Sequence, residues 1–181
     1  MRSAFEKLCS LVLPPAQPRD ASGDWNACEA ELGLALPTDY KKYISTYGSG
    51  YYSAFDIPSP FTKVSPWKSG PMSPRQWWLD WAGIYEDWGK TPRKMPYPAY
   101  PSIPGLLPWG IYGDVDVLSW YTKGAPDQWQ IVYLDREEGF LDIPDIGFAK
   151  FLVKALQGTA PLPESVLSRD PEVMRRVFTP Y

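Results

Sequence analysis

Carboxylates are the side chains best suited to chemistry in this chain, and they concentrate in one stretch. Eight acids and two basic residues lie between positions 114 and 145, a net charge of −6 in a chain whose total is −3. Asp114 and Asp116 alternate along an expected strand, so both side chains point to the same face. Such a pair can chelate a divalent cation or act as an acid–base pair. Nothing else in the sequence completes that site, so we expect no metal ion and no cofactor.

The residue types that are missing favour binding over catalysis. The chain has no histidine, the residue used most often for proton transfer near neutral pH. Cys9 and Cys28 form no CxxC pattern, so neither a zinc motif nor a disulfide framework is indicated, although one disulfide between them stays open. We therefore expect a protein that is not an enzyme, with the carboxylate pair as the catalytic alternative.

The acidic stretch predicts a basic partner. A surface of one charge attracts an oppositely charged protein and raises its association rate. The alternative interpretation is that these turns are simply polar. Nucleic-acid binding is not indicated, because it needs clustered Lys and Arg. The residues predicted as contact and steering charges are Asp114, Asp116, Asp135, Glu137, Glu138 and Asp142, and the predicted aromatic anchors are Trp67, Trp88, Tyr97 and Trp120.

An antiparallel meander at about residues 106–143 is the element expected to carry these groups. Residues 115–122 alternate between two faces, and residues 129–134 are rich in β-branched and aromatic types. Gly124 and Pro126 mark a turn between them. We expect one face of this sheet on the core and the other toward water.

Helices flank the meander on both sides in the sequence. Helical spacing and end signals predict a helix at residues 3–13, one capped by Asp24 and ended by Gly33, one after Pro37 ended by Gly48, one starting at Ser73, one capped by Asp145 and ended by Gly158, and a last short one that includes Phe178. Residues 51–57 are expected to form a strand. The pattern predicts an α+β fold with a mostly antiparallel sheet packed against several helices.

Length and composition predict a single domain, residues 1–181. Proline is unusually common at 21 residues, and many of these prolines lie in a Pro- and Trp-rich insert at about residues 58–101. No segment approaches the roughly 20 apolar residues of a membrane span. Glu6 and Lys7 interrupt an apolar run too short for a signal peptide, so we expect none. We expect a soluble cytoplasmic protein.

Several short motifs, in order, resemble those of the SUKH superfamily. They are W-x-x-C-E-x-x-L-G-x-x-L-P-x-D-Y-K-x-Y at 25–43, Y-G-S-G at 47–50, L-L-P-W-G at 106–110, G-D at 113–114, D-x-W at 127–129 and F-x-x-F-L-x-x-x-L-x-G at 148–158. Together they span about 135 residues. The resemblance implies a single α+β domain with helices packed on a mostly antiparallel sheet.

The resemblance also implies a function. Most bacterial members look like immunity proteins that bind and neutralise a cognate polymorphic toxin, often a nuclease, whereas fungal members are cell-wall regulators. Members share no catalytic residues that would carry over to this chain. The expected function is therefore stoichiometric occlusion of a toxin through the acidic and aromatic surface. The alternative is a non-catalytic carbohydrate-binding or cell-wall regulatory module.

Overall fold

Local sequence signals account for the first two helices. The structure, a computed structural model, describes residues 2–62, 73, 76, 78–80, 83, 96–113, 116–135, 139–163, 166 and 177–180. Ser3 and Glu6 form a capping box at the start of α1 (Ala4–Leu11). Asp24 accepts a hydrogen bond from the Ala27 amide at the start of α2 (Trp25–Leu32), and Gly33 ends that helix with a φ of 74°. Both roles predicted for Asp24 and Gly33 are confirmed.

The next two helices are capped by residues distant in sequence. Helix α3 (Thr38–Tyr47) follows Pro37, which has no side-chain cap to offer. The Asp127 Oδ1 atom accepts hydrogen bonds from the Thr38 amide at 2.6 Å and the Thr38 hydroxyl at 2.8 Å. Helix α4 (Phe148–Leu156) begins after Gly147, and its Ala149 amide donates to Asp39 Oδ2 at 2.9 Å. The prediction that Asp145 caps this helix is therefore wrong.

The described part of the chain contains one antiparallel sheet of seven strands. The strands are β1 (Gly50–Tyr52), β2 (Phe55–Ile57), β3 (Leu106–Tyr112), β4 (Asp116–Tyr121), β5 (Gln130–Asp135), β6 (Gly139–Ile143) and β7 (Phe178–Pro180). Their order across the sheet is β6-β5-β4-β3-β2-β1-β7. The expected meander is confirmed as β3 to β6. The expected strand at residues 51–57 is instead the hairpin of β1 and β2.

The last described segment differs from the sequence prediction. Phe178 was expected in a helix, but it pairs with Tyr52 in the ladder of β7 and β1. Its ring also lies 5.3 Å from that of Tyr47. An aromatic residue fits a half-buried strand as well as a helix. The segment is too short for the spacing of its apolar residues to distinguish a strand from a helix.

The central strands are buried on both faces, so the expectation that one sheet face meets water is wrong for them. Every residue of β3 is buried. On one face, helices α1 and α3 pack against α4, whose Phe148 ring lies 4.9 Å from the Trp109 ring. Trp78, which lies in a helical stretch that includes residues 76, 78–80 and 83, is fully buried and donates its indole N–H to the Pro108 carbonyl at 2.8 Å. The sheet is thus the middle of an α+β fold, and part of the Pro- and Trp-rich insert belongs to the core.

No helix in the described ranges has the length and apolar character needed to cross a membrane.

Candidate functional site

Two of the predicted contact residues, far apart in sequence, meet at the surface. Tyr97 donates its hydroxyl hydrogen to the Asp142 Oδ2 atom at 2.8 Å. The Gln130 side-chain amide donates to Asp142 Oδ1 at 3.1 Å and to the Tyr97 hydroxyl oxygen at 3.3 Å. Asp142 is exposed, whereas Tyr97 and Gln130 are half-buried. The three polar groups therefore hold one exposed carboxylate in a defined orientation.

Strand register explains why these side chains converge. Tyr121 of β4 lies opposite Gln130 of β5, and Val132 of β5 lies opposite Asp142 of β6. Paired residues in an antiparallel sheet share a face, and so do residues two apart. Tyr97 covers this end of the face by stacking on Tyr121, with ring centroids 4.3 Å apart and planes 27° apart. We call the group Tyr97, Tyr121, Gln130 and Asp142 the acidic–aromatic patch.

Hydrogen bonding in the patch raises the pKa of the Tyr97 phenol and leaves acceptor positions on Asp142. The hydrogen bond to Asp142 is the largest cause that raises the pKa of the Tyr97 phenol above its ordinary value, so the phenol stays protonated. A carboxylate has about four acceptor positions, and Tyr97 and Gln130 use two of them. The remaining positions are free to accept from a Lys or Arg of a partner.

Asp116 and Asp135 do not lie at the surface, which corrects their predicted role as contact charges. Their exposed fractions are 4% and 7%. Asp116 accepts the hydroxyl hydrogen of Tyr133, which pairs with Leu118 and so lies diagonally from Asp116 on the same face. Burial, followed by that hydrogen bond, raises the pKa of the Tyr133 phenol. The prediction assumed that alternate residues of β4 and β5 face water. Both faces of these strands are covered, so these two acids are buried.

Trp120 is likewise a core residue and not a surface anchor. Only 1% of its side chain is exposed, and its ring packs edge-on against Tyr40 at 4.9 Å. The prediction of an anchor is wrong here because helices α3 and α4 cover this face of β4.

The remaining predicted site residues lie outside the described residues. They are Asp114, Glu137, Glu138, Trp67 and Trp88. Of the two acids in the stretch that were not predicted as contacts, Asp127 caps α3, and Asp145 is exposed. Among the described residues, the exposed acids of this stretch are Asp127, Asp142 and Asp145.

Sequence reasoning missed Gln130 and Tyr121, although a signal for both was present. Gln130, Val132 and Leu134 alternate in β5, which places the single polar residue at the open end of an otherwise apolar face. Tyr121 is the last residue of β4 and occupies the matching end. The stacking by Tyr97 had no signal, because it depends on the path of a proline-rich loop.

The two cysteines and the grouping of acids bear on whether such residues can react or hold a metal. Burial raises the pKa of the Cys28 thiol to about 12, so it stays protonated at neutral pH. Cys9 and Cys28 are both free thiols. In the described part of the chain, no three Cys, Asp or Glu side chains are grouped so that they could hold a metal ion.

A shallow cleft lies elsewhere, between the first three helices. It has a volume of about 360 Å³ and is lined by Phe5, Trp25, Lys41, Lys42, Ser45 and Thr46. Lys41 pairs with Glu29 at 2.7 Å, which neutralises part of its positive charge. The cleft contains none of the predicted site residues.

Comparison with known proteins gives no relative: no protein-family model, curated protein or solved structure matches the chain.

Proposed function

We propose that this chain is a non-enzymatic cytoplasmic protein that binds and neutralises a cognate bacterial toxin, acting stoichiometrically through the acidic–aromatic patch. The observation that carries the proposal is the exposed Asp142 carboxylate, held in place by Tyr97 and Gln130. A carboxylate fixed in this way loses little conformational freedom on binding, so more of its interaction energy contributes to affinity.

The charge of the surrounding sequence supports a basic partner. The segment 114–145 has a net charge of −6. In the sequence, Glu137 and Glu138 lie between the end of β5 at Asp135 and the start of β6 at Gly139. Toxins that act on nucleic acid present Lys and Arg to hold phosphates. Occlusion of such a surface by an acidic protein would block the substrate, so a nuclease-type toxin fits best.

The buried position of Asp116 supports binding rather than catalysis. The alternative enzyme hypothesis used Asp114 and Asp116 as a pair at one surface, but Asp116 is buried and bonded to Tyr133. A substrate would have to displace that phenol to reach the carboxylate. The patch itself offers one carboxylate whose neighbours are already donors to it, which suits recognition.

A carbohydrate-binding or cell-wall regulatory module is the second candidate. Tyr97 stacked on Tyr121 beside a carboxylate and an amide is an arrangement that can bind a sugar ring, because one aromatic face packs on the ring and the polar groups bond its hydroxyls. Both rings of the stack are half-buried, so each is partly accessible. This observation favours the candidate independently of charge.

The test is co-purification of the chain with the product of the neighbouring gene, followed by growth of cells that express that product with and without the chain. We expect a stable complex and rescued growth. Asp142→Lys should weaken both, because it replaces the fixed acceptor by a like charge. Glu31→Lys is the matched control, since it makes the same charge change at an exposed position of α2.

The two candidates give different outcomes. If the neighbouring gene product inhibits growth and the chain does not restore it, the immunity proposal is contradicted. Binding in a glycan array that is lost in Tyr97→Ala and kept in Glu31→Lys would support the sugar-binding module instead.

A further inference from the structure

Strand β6 leaves one edge of the sheet open. It pairs with β5 through the register Ile131↔Ile143 to Asp135↔Gly139. Among the described residues, no backbone hydrogen bond joins β6 to any other element. In an antiparallel strand alternate residues direct their amides and carbonyls to opposite sides. With respect to the described part of the chain, the outer side of β6 therefore presents a row of unpaired backbone groups.

The opposite edge of the sheet is less suited to pairing with a further strand. Strand β7 has three residues, and Pro180 is one of them. Proline has no amide hydrogen, and short strands with proline are a common way to blunt a sheet edge. Strand β6 has five residues and no proline. The two edges differ in their capacity to pair.

The side chains of β6 select against a second copy of this chain. From Gly139 to Gly147 the segment contains Asp142 and Asp145 and no Lys or Arg. Antiparallel pairing of two β6 strands centred on Leu141 would bring the two Asp142 carboxylates to diagonal positions, about 7–8 Å apart at the Cα atoms. Like charges at that distance repel within the Debye length of about 8 Å at physiological salt. The same charges attract a strand that contains Lys or Arg.

We propose that the partner adds an extended basic segment to the edge of β6. Main-chain hydrogen bonds to β6 would supply affinity, and a Lys or Arg of the added strand would bond Asp142 on the face of the acidic–aromatic patch, as in known β-augmentation. Leu141, which is 37% exposed, contacts an apolar residue of the added strand on the other face. This mode of binding rests on the proposed function, since it describes how the toxin is held, but its test needs no toxin.

The probe is a seven-residue peptide of alternating Lys and Val, with a Glu–Val peptide of the same length as the matched control. Amide hydrogen exchange is followed by NMR in the full chain, with and without peptide. We expect the outward amides of β6 to exchange about tenfold more slowly, a change of about 1.4 kcal/mol, with the Lys–Val peptide alone. Unchanged β6 exchange with saturating Lys–Val peptide overturns the proposal, as does equal protection by both peptides. Protection that rises with protein concentration in the absence of peptide identifies a second copy as the occupant and also overturns it.

Proline substitutions give a second measurement. Phe140 and Leu141 are adjacent, so their amides point to opposite sides of β6. Phe140→Pro and Leu141→Pro should therefore differ: one removes a bond to β5 and lowers the melting temperature, and the other removes only an outward amide. The variant with the unchanged melting temperature should lose Lys–Val binding, whereas alanine at the same position should retain it. Retained binding in that proline variant contradicts the proposal. Growth rescue by the wild-type chain is scored separately, so the proposed function can stand while this mode of binding fails.

Discussion

At the scale of single residues, acids of one type have different roles according to what lies over them. Asp142 is exposed and held by two donors, Asp116 and Asp135 are buried, and Asp127 caps a helix. A count of charges along the sequence weights all four equally. Strand alternation gives the face of each residue, but it gives no information about which segment covers that face. This is why only part of the predicted acidic surface is found at the surface.

The coupling between Tyr97 and Asp142 gives the first prediction. Asp142→Asn replaces the charged acceptor by a weaker neutral one, so the pKa of the Tyr97 phenol should fall toward its ordinary value. Because the pKa is raised in the folded state, the bond stabilises the fold below the phenol's ordinary pKa and is lost as pH rises through the raised value. NMR titration of the Tyr97 ring carbon measures the shift.

Asp145→Asn is the control for this titration. It removes an exposed carboxylate that makes no hydrogen bond to Tyr97, so the Tyr97 pKa should stay as in the wild type. An unshifted Tyr97 in Asp142→Asn would contradict the geometry of the patch.

At the scale of elements, helix α3 is fixed at its N-terminus by the sheet and in turn fixes α4. Asp127, in the 3₁₀ turn Pro126–Gln128 between β4 and β5, accepts from Thr38 at the start of α3. One residue further on, Asp39 accepts from Ala149 at the start of α4. Amides at helix N-termini lack intrahelical partners, so each carboxylate both satisfies a donor and joins two elements.

Removal of the first of these caps should lower stability by a measurable amount. We expect Asp127→Ala to reduce the free energy of unfolding by about 1 kcal/mol, the usual cost of losing an N-terminal cap. Asp127→Asn retains an Oδ1 acceptor for Thr38 and should recover most of the loss. Urea unfolding of the three proteins measures both differences. Equal stability of the alanine variant and the wild type would show that the Thr38 groups find other partners.

The second cap predicts a pH dependence. Burial, the largest cause, raises the pKa of the Asp39 carboxyl despite the hydrogen bond from Ala149. Between the ordinary and the raised pKa, the folded state holds more protons than the unfolded state, so this group makes stability fall as pH rises. Asp39→Asn keeps an acceptor for Ala149 but does not titrate. The variant should therefore gain stability relative to the wild type as pH rises through that window, measured by urea unfolding at several pH values. A constant difference across the window would contradict the raised pKa.

Local signals predicted the elements better than the contacts between them. Asp24 and Gly33 act within a few residues of themselves, and the sequence predicted both correctly. The caps by Asp127 and Asp39 cross 89 and 110 residues and leave no local pattern.

Pro108 is a second feature that local signals do not predict. Proline argues against a central strand, yet β3 accommodates it because the register shifts between Pro108 and Gly110. The Pro108 carbonyl accepts a hydrogen bond from the Trp78 indole N–H.

At the scale of the whole molecule, the sheet separates two surfaces of different character. Helices α1, α3 and α4 pack together, and Lys41 and Lys42 of α3 line the cleft beside α1 and α2. The acidic–aromatic patch and the open edge of β6 lie at the opposite end of the strand order from β7. The segment 114–145 contributes −6 to a chain of net charge −3, so the rest is net positive. We expect this asymmetry along the sequence to orient a basic partner toward the acidic segment.

Charge reversal next to β6 tests that asymmetry. Glu137→Lys combined with Glu138→Lys should slow association with the partner recovered by co-purification about tenfold at low salt, because long-range attraction acts mainly on the association rate. The difference should shrink as salt is added, and the melting temperature should be unchanged. Stopped-flow mixing at several salt concentrations measures the rates. Glu31→Lys on α2 should change the rate less for each charge altered, since that residue lies in the helical layer. An association rate that is the same in the double variant and the wild type would show that the acidic segment does not steer the partner, and binding would then depend on the patch and the strand edge alone.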